Sequence, residues 1–175
     1  NASIILHQRE LVAGKGPLAE ASDRGSVADF NARIAELIKN NSATLVTVTL
    51  DKLAFPETQS SRPFGAYEYA LIRLAEWFVR WLDSNNFYGD LLGEMGRAKH
   101  DAQLRRAFRY FYKTGGTIGP NVVQRRLTAL EPKLQPKNAN IAGLQMADLL
   151  ANPAFGDHKF RHIGQNNSDY QSPAL

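Results

Sequence analysis

The chain contains no cysteine. Disulfides, thiolate nucleophiles and cysteine-based zinc sites are therefore excluded at once. No apolar run approaches the roughly 20 residues that a membrane-spanning helix needs. A charged-then-apolar leader is absent from the start of the sequence, which leads to the expectation of a cytoplasmic protein without a membrane partner. The first residue is Asn, not Met. The expectation is that residue 1 follows an internal cut. A phosphate loop is absent too, since the Gly14-Lys15-Gly16-Pro17 turn lacks the Gly-x4-Gly-Lys-Ser/Thr spacing. There are no internal repeats and no linker-like stretch.

What is present is a globular composition. Of 175 residues, 43% are hydrophobic and 22% charged, enough for one domain with a core and too little for two comfortable ones. The net charge is only +4, but it is unevenly spread. Between residues 97 and 126 stand Arg97, Lys99, Arg105, Arg106, Arg109, Lys113, Arg125 and Arg126 against one acid, Asp101. That window carries +7 and leaves −3 for the rest of the chain. Such a concentration suits a polyanion, and these eight residues are the candidate nucleic-acid-binding set. A solvated helix face is the plainer alternative.

Periodicity predicts the elements. Ser26 caps a predicted helix over 27–39 with Phe30, Ile34, Leu37 and Ile38 on one face. Residues 43–50 alternate and predict a strand with Val46, Val48 and Leu50 facing in. A loop over 52–64 follows. Residues 67–82 predict the strongest helix, with Tyr67, Leu71, Leu74, Phe78 and Trp81 on one side. Residues 87–94 predict the next strand, and 101–112 a helix with Leu104, Phe108, Phe111 and Tyr112 facing in. Residues 122–130 read as a strand and 142–150 as a last helix, limited by Pro153. From Gly156 onward the composition is that of a polar tail. The alternation implies an α/β fold, a mixed sheet flanked by helices, with a single domain over 1–155 and a tail over 156–175.

Two carboxylates stand out. Glu94 ends an apolar strand before the Gly96-Arg97 turn, and Asp148 sits between Ala147 and Leu149. A carboxylate in apolar surroundings costs several kcal/mol unless it is paired or bound to a metal. Convergence of the two would suit a hard divalent cation, Mg2+ or Mn2+. The alternative for Asp148 is a helix-surface residue or an arginine partner. Gln145 lies near Asp148 on a regular helix and could orient a water, or make a helix-packing bond. His158 and His162 have i, i+4 spacing but read as solvated rather than as zinc ligands. His100 reads as a helix-start residue, and Ser60-Ser61 lacks a nucleophile's context.

The string Lys137-Asn138-x-Asn140-x-x-Gly143-Leu144-Gln145-Met146-Ala147-Asp148-Leu149-Leu150-Ala151 resembles the C-terminal hallmark of domain of unknown function family 3800. Leu91-Leu92-Gly93-Glu94-Met95-Gly96-Arg97 and Val48-Thr49-Leu50-Asp51-Lys52 resemble its strands ending in Glu and in Asp-Lys, and His7-x-x-Glu10-Leu11 its His-containing segment. The resemblance implies a ribonuclease-H-like fold and a metal-dependent nuclease. Glu94 and Asp148 would be the catalytic metal ligands, with Gln145, Asp51 and His7 as accessory residues. The family pattern opens with an Asp-Glu-Ser strand that has no counterpart here, so the expectation is a domain truncated at its N-terminus and lacking its first metal carboxylate. A sheet lacking its opening strands would expose an edge and favour homo-oligomers. The alternative function is a non-catalytic nucleic-acid or protein-binding module of a phage-defence or mobile-element system.

Overall fold

The computed structural model describes residues 24–41, 43–50 and 64–163. His7, Asp51 and Ser60-Ser61 lie outside the described residues. The chain divides into two units, one made of 1–47 with 140–175 and the other of 48–139.

In the second unit, Gly65 precedes helix α2 (Ala66–Ser84), whose predicted helical period holds. The buried side differs from the expected one. Ala75, Val79 and Leu82 are buried, with Leu71, Ile72 and Phe78 packed beside them, while Tyr67, Trp77 and Trp81 stay exposed. Small and branched side chains let a neighbouring helix approach closely, so the widest aromatics are left at the margin. Asn85 stops the helix: its backbone N–H and its side-chain Nδ2 both donate to the Trp81 carbonyl.

Strand β1 (Leu92–Glu94) follows, shorter than the predicted 87–94. Helix α3 (Ala98–Thr114) buries Phe108 and Phe111, as its period predicts, with Ala107 beside them, while Leu104 and Tyr112 of the predicted face are half-buried. Gly115 ends it with φ 77°, a left-handed cap whose N–H donates to the Phe111 carbonyl.

Residues 120–126 correct the reading of a strand over 122–130: they form helix α4 (Pro120–Arg126). Val122 and Val123 suggest β-structure, but Pro120 at the first helical position presets φ and lacks only an N–H that would go unpaired there. Strand β2 (Lys133–Gln135) then pairs parallel to β1, Leu92 opposite Lys133 and Glu94 opposite Gln135. Upstream, Gly89 bridges to Leu127 in the same sense.

Ala75, Val79, Leu82, Phe108, Phe111, Val123 and Leu127 form the core of this unit. Truncating a fully buried ring such as Phe108 costs about 3–5 kcal/mol. A β–α–α–β passage thus carries the chain from one parallel strand to its neighbour, as parallel pairing requires.

The first unit contributes helix α1 (Arg24–Asn40) and helix α5 (Ala142–Ile163), the latter preceded by a 3-10 turn over Lys137–Ala139 in the second unit. Phe30, Ile34 and Ile38 are half-buried along α1, and Leu37 is exposed. Residues 43–50 do not pair as a strand among the described residues. Alternation supplies a face for burial, but a strand exists only with a partner that takes its backbone hydrogen bonds. Pro153 lies inside α5 rather than ending it, and the helix continues through Ile163, so the residues from Gly156 to Ile163 are not a tail. A proline removes one backbone donor, and a long helix retains the rest of its ladder.

The described residues are α/β in content, mostly helical, and among them the strands form a two-stranded parallel sheet rather than the larger mixed one expected. No helix of the described residues is long and apolar enough to cross a membrane.

Candidate functional site

Five carboxylates of the second unit are consumed by the fold. Glu76 is buried and accepts from the Thr117 N–H at 2.9 Å, the Thr117 hydroxyl at 3.0 Å and Arg73. It lies against Gly116, where an added Cβ would stand 2.4 Å from its Oε1. Only a glycine at φ 52° lets this loop close over the carboxylate.

Asp101 is buried and accepts from the Gly96 N–H, fixing the turn after β1. Asp83 accepts from Arg126 and Arg125, which hold its carboxyl below the usual range. Asp90 accepts from Lys133 and from the Thr128 hydroxyl, and its pKa is lowered first by Lys133 and then by Thr128. Glu131 sits between Arg105 and Arg109.

Glu94 is different. It ends β1 at the carboxyl end of the parallel pair, where α/β sheets place their ligand sites. Its side chain is 45% exposed, and its one ion-pair contact among the described residues is Lys137, 4.0 Å away. Such an exposed pair contributes little. Glu94 therefore does not carry the burial penalty expected of it. Arg97 is exposed at the head of α3 just beyond it, and Gln135 ends the neighbouring strand.

Asp148 is exposed on α5 in the other unit, so the apolar surroundings inferred for it are also corrected; the buried neighbour is Leu149. Leu144 and Leu150 are half-buried, while Ala147, expected to face inward with them, is exposed beside Asp148. Gln145 is half-buried and its Nε2 donates to the Asn140 side chain, so it anchors the entry to α5. Asn140 takes φ 50°, a conformation that Asn tolerates better than most residues. His158 is half-buried within α5, and His100 is exposed in the first turn of α3, where it was expected. Among the described residues, no three His, Asp or Glu side chains gather as a metal cluster.

The basic window is sorted by the fold. Acids from outside it, Asp83 and Glu131, are brought onto it, and each is shared by two arginines. Arg126 is buried, bonded to Asp83 and Asn86 at 2.8 Å each and placed 5.4 Å from the Tyr88 ring. It is a structural residue, which corrects its assignment as a phosphate contact. Arg97, Lys99, Arg106 and Lys113 are exposed and have no ion pair among the described residues. Pairing across the sequence is invisible to a charge count within a window, and only an apolar flank (Val122, Val123) hinted at Arg126's burial.

Comparison with known protein families, curated proteins and solved structures finds no match to this chain.

Proposed function

We propose that this chain is a metal-dependent nuclease domain of ribonuclease-H-like type, hydrolysing nucleic-acid phosphodiesters. The observation that carries the reading is Glu94: an exposed carboxylate at the carboxyl end of a parallel strand pair, met among the described residues only by Lys137 at 4.0 Å, while Glu76, Asp83, Asp90, Asp101 and Glu131 are tied into the fold. Glu94 is exposed and offers a hard oxygen donor of the kind that Mg2+ or Mn2+ prefers, and the motif resemblance names Asp148, exposed on α5, as a second candidate ligand. A divalent ion bound at Glu94 would polarise the phosphoryl group and lower the pKa of an attacking water. Lys137, 4.0 Å from Glu94, and Arg97, three residues beyond it in sequence, would attract the phosphate backbone. The motif resemblance to domain of unknown function family 3800 supports the same reading.

Incubation of a labelled oligonucleotide with the chain and Mg2+ or Mn2+ tests it. Metal-dependent cleavage, lost in Glu94→Gln and in Asp148→Asn, is the expected result. Cleavage unaffected by either substitution overturns it.

A second reading, a non-catalytic nucleic-acid-binding module, is favoured by the unpaired cations along α3. Binding without cleavage under every metal condition would select it.

A further inference from the structure

Helix α3 segregates its polar residues more sharply than its composition implies. Ala107, Phe108 and Phe111 face the core. Arg105 and Arg109 lean to one flank, where Glu131 takes both at 2.9 and 3.3 Å. That leaves Lys99, Arg106 and Lys113, all exposed, spaced seven residues apart. At 1.5 Å rise per residue, and with seven residues close to two turns, these three line one face about 10 Å apart.

Between them sits Tyr110, 49% exposed, one turn after Arg106. Its ring does not hang free. Phe64, from the segment before α2, packs edge-on against it at 5.1 Å, and the Arg106 guanidinium lies 5.9 Å from the Phe64 ring. A tyrosine so braced keeps one face toward solvent at little entropic cost on binding. Cations in a row supply phosphate contacts, and an exposed ring among them supplies a stacking surface for a base. A duplex offers its phosphates but keeps its bases stacked on one another, so only an unpaired strand uses both features.

We propose that the Lys99–Arg106–Tyr110–Lys113 face of α3 binds single-stranded nucleic acid, with the three cations on the phosphates and Tyr110, braced by Phe64, stacking on a base. This deepens the nucleic-acid reading given above and rests on it for the class of partner. The shared chemistry, a polyanion with unpaired bases, belongs to DNA and RNA alike.

The test is fluorescence anisotropy in excess chelator, so that no cleavage intervenes. Labelled oligo-dT, oligo-U and a duplex of equal length are compared across a salt series; the dT and U arms distinguish the two strand types. Both single strands, or one of them, should bind more tightly than the duplex. Tyr110→Ala should weaken single-strand binding about tenfold and leave duplex binding unchanged, with Tyr110→Phe close to wild type. Replacing Lys99, Arg106 and Lys113 with Ala should lower the salt slope by about 2.

Duplex binding as tight as single-strand binding, or an unchanged affinity in both Tyr110→Ala and the triple variant, overturns the proposal. Failure here and failure of the nuclease reading are separable. A chain that cleaves through Glu94 but ignores Tyr110 loses only this inference. A chain that binds single strands through Tyr110 and never cleaves loses only the other.

Discussion

Glu76 offers the sharpest test of how the second unit is held. It is 4% exposed and receives two hydrogen bonds from Thr117 and one from Arg73. Hydrogen bonds to a charged acceptor contribute about 1.5–3 kcal/mol each, and the lower value applies to the two from Thr117, which sits in a part-exposed loop. The Arg73 pair adds about 0.5 kcal/mol or less, since that arginine is 48% exposed. Glu76→Ala should therefore cost about 3 kcal/mol. Glu76→Gln keeps a neutral acceptor in place and should cost about 1 kcal/mol.

For a unit of this size, each kcal/mol shifts the midpoint by about 4–8 °C, so thermal unfolding followed by circular dichroism separates the two variants easily. An Ala variant within about 0.5 kcal/mol of wild type would refute the anchoring role. A Gln variant as damaging as Ala would show that the charge on Glu76, and not its geometry as an acceptor, holds the loop.

Two further predictions concern the arginines and the pH dependence. Arg126→Ala should destabilise by about 2–3 kcal/mol, because it strips a buried residue of its bonds to Asp83 and Asn86, whereas Arg125→Ala, 54% exposed and sharing the same carboxylate, should cost under about 0.5 kcal/mol in the same denaturation series. Asp90 is held below its ordinary pKa by Lys133 and Thr128, so its contribution to stability is fully present above the unfolded value near 3.8 and is lost as pH falls through the lower folded value. Urea midpoints from neutral pH down through that range should show Asp90→Asn with a flatter dependence than wild type; parallel curves would refute the assignment.

Helices α2 and α3 were legible because each carries its period within itself. Leu104, Phe108 and Phe111 identify the core face of α3 without reference to any partner. The rest depended on contacts between distant residues. Residues 43–50 have the alternation of a strand, yet strand formation is decided by a neighbour, and nothing within those eight residues specifies one. Val122 and Val123 outweighed Pro120 in the reading of α4, although the Gly119-Pro120 pair was the better signal, since it marks a helix start.

At the site, the position of Glu94 at a strand end was readable from Leu91-Leu92-Gly93 before it and Gly96 after it. That it is exposed was not readable, because burial of a short strand is set by what covers it. The pairing of Arg105 and Arg109 with Glu131 spans more than 20 residues and left the basic window looking more cationic than it is.

Glu94 is proposed as a divalent-metal ligand, set apart from the carboxylates the fold consumes. Titration of the chain with Mn2+, followed by the loss of the free-ion paramagnetic resonance signal, tests this most directly. Saturable binding that Mg2+ displaces is expected, weakened about tenfold or more in Glu94→Gln and unchanged in Glu131→Gln. Identical titrations for wild type and Glu94→Gln would contradict it.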